Sequence, residues 1–184
     1  MCQAARSPNT PTARADAGQY PLQARDLYLD ELIAECVHSA RTLAQAKKIS
    51  LTFDQAPESP IHADESLLRR MLLNLLDNAI KYTPDFGRIT VACRRRDQEY
   101  AVSIADTGIG IPAELRPRIF ERFFRADKAR SRSKSDGGGA GLGLAISRWI
   151  AEAHQGRLEL TRSDSTGSTF TAYLPAYSGT PSPG

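Results

Sequence analysis

The chain has 184 residues, 41% of them hydrophobic and 24% charged, with a formal net charge of +3. That is enough for one sizeable core and leaves no comfortable room for a second domain. Its apolar runs are too short to cross a bilayer, and no signal-like apolar stretch follows Met1, so the chain reads as soluble. The basic residues fall in Arg94-Arg95-Arg96 and between Arg125 and Lys134 rather than along one stripe, which disfavours nucleic acid as a partner.

Residues 1–25 carry Pro, Ser, Thr and Ala with little periodicity and are expected to be disordered. From Asp30 to about Lys48, Leu32, Ile33, Cys36, Val37, Ala40 and Leu43 recur at helical intervals. Ile49 to Phe53 alternates as a half-buried strand. Asp64 is placed to cap a second helix, which Pro84 must stop. Ile89, Val91 and Cys93 share one strand face, and Tyr100, Val102 and Ile104 share one in the next, so the two predict a hairpin. Gly141 to about His154 reads as a third helix ended by Gly156, and Arg157–Ser163 with Ser168–Leu174 as a closing hairpin. Residues 177–184 form a Pro- and Gly-rich tail expected to be loose. Three helices against one mixed, mostly antiparallel sheet make an α/β two-layer sandwich. Cys2, Cys36 and Cys93 are odd in number and lack metal-ligand spacing, which suits thiols in a reducing compartment; Cys93 reads as core.

The second helix carries the most informative residues. Asn74, Asn78 and Lys81 fall on one stripe at offsets of four and seven, while Leu68, Leu72, Leu75, Leu76 and Ala79 form an apolar face. Amides can offer carbonyl oxygen to a hard cation and N–H to phosphate, and an ammonium can meet a phosphate as a point charge. Together they suggest a metal-bound nucleoside triphosphate. A surface helix with incidental polar residues is the plainer reading of that segment alone.

Counting on from Ile104, Asp106 continues the inward-facing set just as Thr107-Gly108-Ile109-Gly110 ends the strand. A carboxylate aimed inward needs donors, and the exocyclic amino group of a purine is a suitable one. Gly108 and Gly110 would let the backbone pass close to the base; an Asp-capped turn is the alternative. Asp-Thr-Gly also occurs in aspartic proteases, but those need a second such motif or a symmetric dimer, and none is present in the chain. Farther on, Gly139, Gly141 and Gly143 open a helix, where free amides and the helix dipole favour an anion. The spacing is neither a Walker A loop nor a Rossmann fingerprint, and a flexible linker is the competing reading.

Taken in order, Asn74 to Pro84, Asp106 to Pro112, Ile119 to Arg125, Gly137 to Ala145 and Gly167 to Phe170 resemble the N, G1, F, G2 and G3 boxes of sensor histidine kinases. The catalytic and ATP-binding domain of that family has the Bergerat (GHKL) fold. The resemblance covers about residues 26–176, with 127–139 as an ATP lid hinged at its glycines. It implies ATP and Mg2+ as cofactors, Asn78 as the metal ligand, and Asn74, Lys81 and Tyr82 beside the nucleotide. Asp106 would read the adenine, helped by Gly108, Gly110, Ile111 and Ser168. Gly139, Gly141, Leu142 and Gly143 would meet the phosphates. Phe120 would dock the lid, and Arg122 and Arg125 would carry charge towards the γ-phosphate. Residues 13–18 resemble the end of the last helix of a dimerisation and phosphotransfer domain.

In related hydrolytic ATPases a Glu one turn before the metal-binding Asn activates water, and here that position is Asn74, which cannot act as a base. Transfer to an outside acceptor is therefore expected over hydrolysis. The acceptor implied is a histidine on a separate dimerisation domain, because His38, His62 and His154 do not sit in the family's acceptor setting. The resemblance further implies a response regulator acting downstream, a monomeric fragment of a homodimeric protein, and a cytoplasmic domain of an inner-membrane-anchored chain. A GHKL-type protein-serine kinase and a nucleotide-binding regulatory module without chemistry remain the alternatives.

Overall fold

A computed structural model describes residues 21–54, 58–124 and 141–176. The elements run in the order β1 (Arg25–Tyr28), α1 (Leu29–Ala46), β2 (Ser50–Asp54), β3 (Pro60–Ala63), α2 (Glu65–Tyr82), β4 (Arg88–Arg96), β5 (Glu99–Asp106), a 3-10 turn (Arg116–Arg118), α3 (Gly143–Ala153), β6 (Arg157–Asp164) and β7 (Gly167–Pro175). Five strands form one sheet in the order β2-β4-β5-β7-β6. β2 runs parallel to β4, with α2 in the crossover, and the remaining neighbours are antiparallel. The expected two-layer α/β sandwich with three helices is thus the observed architecture.

Strand parity decides the core. Ile89, Val91 and Cys93 of β4, Tyr100, Val102 and Ile104 of β5, and Phe170, Ala172 and Leu174 of β7 are all buried beneath the helices. Leu68, Leu72, Leu75, Leu76 and Ala79 of α2 meet them, as do Ile33, Cys36, Val37 and Ala40 of α1. Burial pushes the thiols of Cys36 and Cys93 up to about 11, so both stay protonated and behave as small apolar residues.

Two further strands lie outside the expected set. β1 and β3 form a separate antiparallel ribbon, Arg25 opposite Ala63 and Tyr28 opposite Pro60. It starts at Arg25, one residue before the expected domain boundary, and leads directly into α1.

Both ends of α2 are tied down. At its start the Asp64 carboxylate accepts from the Leu67 N–H (3.1 Å) and from the Gln23 N–H (3.0 Å). The Asp64 N–H in turn donates to His154 Nε2 at the end of α3 (3.0 Å). At its finish, the Lys47 ammonium donates to the carbonyls of Ile80 (2.8 Å), Lys81 (3.3 Å) and Thr83 (2.5 Å). Those are carbonyls that the helix itself leaves without partners.

Candidate nucleotide site

α2 and α3 bring the first cluster together. Asn74 and Asn78 are half-buried on the α2 stripe, one turn apart, with Lys81 exposed beyond them. Asn74 Nδ2 lies 3.5 Å from the Gly143 carbonyl. A Cβ built on Gly143 would stand 3.9 Å from the Asn74 amide carbon and 4.0 Å from Asn78 Nδ2. The first residue of α3 therefore faces both amides. The helix begins at Gly143 rather than Gly141, with Leu142 as N-cap and no capping side chain among the described residues. Its first-turn N–H groups are therefore open to an anion. Gly141 holds a left-handed backbone (φ +70°), and its carbonyl accepts from the Phe123 N–H (3.0 Å). A side chain there would run into the Phe123–Phe124 backbone at about 3 Å.

The second cluster forms where β5 ends. Asp106 is half-buried, and its Oδ1 accepts from the N–H of Gly108 (2.7 Å) and of Ser168 (3.3 Å). Burial raises the carboxyl above its ordinary value, and the two N–H bonds oppose that rise. Both bonds fall on Oδ1, so Oδ2 takes none among the described residues. A Cβ on Gly108 would meet Asp106 Oδ1 and the Tyr82 carbonyl, each at 2.6 Å, which sets this cluster against the end of α2. At Gly110 (φ +69°) the obstacle is the Asp164 carbonyl at 1.9 Å, so that glycine serves the contact with the β6–β7 turn.

α2 spans the two clusters. From Asn74 to Tyr82 is eight residues, a rise of about 12 Å and comparable with an extended nucleotide. Lys81 Nζ lies 5.2 Å over the Tyr82 ring. Ile111 is half-buried against the core, and its N–H donates to Ser163 Oγ (2.8 Å). Phe120 makes a T-shaped contact with Phe170 at 6.3 Å and the Arg148 guanidinium lies 5.6 Å over its ring, so it is core as much as docking surface. Phe123 is 67% exposed and left-handed (φ +62°). Arg122 is exposed beside it. Arg125, Gly139 and the expected lid 127–139 lie outside the described residues.

Several residues that shape these clusters were not singled out by the sequence. Arg116 donates to the carbonyls of Ile111 (3.0 Å) and Ser163 (2.7 Å) and so holds the loop after Asp106 against β6. Ser163 bonds that loop to Ser168. Lys47 caps the helix that spans both clusters. None carries a local signal, because each reaches a partner at least 5 and mostly more than 30 residues away. Among the described residues, no group of three His, Cys, Asp or Glu side chains could hold a metal, and no helix is long and apolar enough to cross a membrane.

Comparison with known proteins agrees with this geometry. Residues 63–178 match the family described as histidine kinase-, DNA gyrase B-, and HSP90-like ATPase. The sensor-like histidine kinase SenX3 of Mycolicibacterium smegmatis is 40% identical over 149 residues, 81% of this chain and 38% of the relative. The phosphate regulon sensor protein PhoR of Pseudomonas aeruginosa is 37% identical over 162 residues, 88% of this chain and 36% of the relative. The chain thus spans about two fifths of the length of these curated relatives. Full-length ShkA in complex with AMPPNP matches with a TM-score of 0.79 at 30% identity, over 91% of this chain and 34% of that one. The catalytic domain of histidine kinase ThkA matches with a TM-score of 0.72 at 27% identity, over 84% of this chain and 96% of that one. With the matched segment taking in α2, the Asp106 turn and α3, the chain belongs to the histidine kinase-, DNA gyrase B-, and HSP90-like ATPase family and has the fold of a histidine kinase catalytic domain.

Proposed function

We propose that this chain is the ATP-binding catalytic part of a sensor histidine kinase, which passes the γ-phosphoryl group of ATP to a histidine on a separate dimerisation domain. The observation that carries this reading is the convergence of Asn74 and Asn78 on the uncapped start of α3, with the Asp106 turn at the other end of the same stretch of α2. Oδ2 of Asp106 would accept from the adenine amino group, and the α3 amides would hold the phosphates. Arg122 and Arg125 would add charge near the γ-phosphate. The catalytic domain would run over residues 26–176, with 127–139 closing over the nucleotide.

The donor set fits Mg2+ that arrives with the triphosphate. Asn78 would supply one amide oxygen, while phosphates and water would supply the rest, as suits an ion that seldom uses an all-protein cage. Bound there, Mg2+ would neutralise charge on the transferring group. Asn74 can orient but cannot accept a proton from water, which favours transfer over hydrolysis. His154 is buried with Nε2 on the Asp64 N–H and Nδ1 on the Ile150 carbonyl, a poor acceptor for a phosphoryl group. His62 is paired through Nδ1 with Asp26, and His38 lies exposed on α1. The acceptor histidine, the response regulator, a homodimeric full-length protein and its membrane anchor all belong to this proposal.

The test combines calorimetric titration with Mg-ATP and incubation with γ-labelled ATP, with and without the separately produced acceptor domain. The expected result is ATP binding by the chain alone, no stable label on it, and acid-labile, alkali-stable label on the acceptor domain. Alkali-labile label on an added protein substrate would indicate a serine kinase instead. Binding with no transfer to any acceptor would indicate a regulatory module.

A further inference from the structure

The pairing of β6 with β7 slips between Leu160 and Arg162. Before the slip, Leu158 and Leu160 point towards the helices; simple alternation would send Arg162 and Asp164 inward and Ser163 outward. The bulge reverses that parity and sets Ser163 opposite Ser168, on the inward face. Continuing the Ala105–Thr169 pairing of β5 with β7 puts Ser168 opposite Asp106. Ser163, Ser168 and Asp106 therefore form one row across three strands.

The row is joined by hydrogen bonds, and the Ser163–Ser168 pair can run in either direction. Ser163 Oγ accepts from the Ile111 N–H (2.8 Å) and lies 3.0 Å from Ser168 Oγ. A hydroxyl has one proton and two lone pairs; the Ile111 N–H fills one lone pair of Ser163 Oγ, and Ser168 Oγ is within reach of the Ser163 proton. In the sense where Ser163 donates to Ser168, the Ser168 proton is left to point elsewhere. Ser168 is 5% exposed, and its own N–H is already committed to Asp106 Oδ1. In that sense the end of the row offers an acceptor, Asp106 Oδ2, next to a donor, the Ser168 hydroxyl.

We propose that Ser163 is a positioning residue for base selection: by holding Ser168 in its donor sense, it matches the pocket to the amino group and ring nitrogen of adenine and mismatches it to the carbonyl and ring N–H of guanine. This inference rests on the nucleotide-binding reading above. It assigns Ser163 no contact with the base; Ser163 acts through Ser168, directly or across one water.

The experiment measures ATP and GTP affinity by calorimetry for the whole chain and for Ser163→Ala, Ser163→Thr, Ser168→Ala and the Ser163→Ala/Ser168→Ala pair. Both nucleotides carry the same phosphates, so their affinity ratio isolates the base. The wild type is expected to prefer ATP. Ser163→Ala should narrow the ratio about fivefold, the equivalent of one neutral hydrogen bond of about 1 kcal/mol. Ser163→Thr keeps the hydroxyl and should restore the ratio. In the Ser168→Ala background Ser163→Ala should change it no further. Equal weakening of both nucleotides by Ser163→Ala, an unchanged ratio, or a full effect persisting without the Ser168 hydroxyl would each overturn the proposal. If Ser163→Ala does not fold by circular dichroism, Ser163→Cys, with its weaker donor, takes its place under the same criteria. A wild type that binds neither nucleotide defeats the nucleotide-binding reading itself. ATP preference that survives Ser163→Ala defeats this inference alone.

Discussion

Replacing Lys47 by Met keeps most of the side chain's length and removes its charge, so it isolates what the ammonium does at the end of α2. Three carbonyls lie within 2.5–3.3 Å of Nζ. A hydrogen bond to a charged group contributes about 1.5–3 kcal/mol, and a cation at a helix C-terminus about 0.3–1 kcal/mol. The three bonds share one half-exposed group, and water can replace some of them, so their sum overstates the loss. One to two bonds' worth, about 2–4 kcal/mol, is the reasonable expectation. For a domain of this size each kcal/mol moves the melting temperature about 2–4 °C, which gives a fall of about 5–15 °C in scanning calorimetry. The internal control is Glu152→Ala, which removes an exposed i,i+4 ion pair with Arg148 while leaving Arg148 over Phe120, and should cost about 0.5 kcal/mol. Lys47→Arg should recover only part of the loss, since a planar guanidinium cannot converge on three carbonyls as an ammonium does. A melting temperature for Lys47→Met within 2 °C of the wild type would refute the role given to this lysine.

Asn78→Ala should abolish Mg-dependent ATP binding while leaving the circular dichroism spectrum unchanged; unchanged calorimetric affinity would remove Asn78 from the site. Asp106→Asn should weaken ATP binding at least tenfold, from the loss of a charge-assisted bond of about 1.5–3 kcal/mol. Burial raises the Asp106 carboxyl, so the folded state holds its proton more tightly than the unfolded chain. Its contribution to stability is therefore favourable at low pH and is lost as pH rises through the raised value. Binding should have the opposite sense, because the proposed adenine contact needs the ionised form. ATP affinity should fall as pH drops through that value, with a flatter profile for Asp106→Asn; parallel profiles would show that another group controls it. Gly110→Ala forces a Cβ against the Asp164 carbonyl at φ +69° and should destabilise by about 2–4 kcal/mol in chemical denaturation.

The strands and helices that contain a full apolar period were legible because burial of one face is a local pattern. The Asp64 cap, the stop at Pro84 and the β4–β5 and β6–β7 hairpins were each signalled within a few residues. The β1–β3 ribbon was not. Its two four-residue strands are separated by all of α1 and β2 and carry too little alternation to stand out, and Pro60 lowers the strand expectation further. Asp106 was legible by counting parity along β5, where no irregularity intervenes. Ser163 was hidden for the converse reason: a bulge two residues earlier inverts the count, and nothing in Thr161 or Arg162 announces it. The Gly110 position was legible as a place where a side chain would collide, but what it would strike is protein backbone from a distant hairpin.

The two helices that frame the proposed nucleotide site differ mechanically. α2 is a beam fixed at both ends, by Asp64 and His154 at one and by Lys47 at the other. α3 is a cantilever. Its root is clamped, since His154 grips the start of α2 and Gly156 returns an N–H to the Ala151 carbonyl (2.9 Å). Its tip, Gly143, meets α2 through a long hydrogen bond of 3.5 Å from Asn74 Nδ2. Thermal displacement should grow along α3 from Ala153 towards Gly143, with amide hydrogen exchange fastest over Gly143 to Ile146 and slowest over Ile150 to Ala153. A phosphate chain bound there, as proposed, would support the tip. The stiffness of α3 would then be set by what is bound, and any surface that senses the tip would tell a charged nucleotide from an empty pocket.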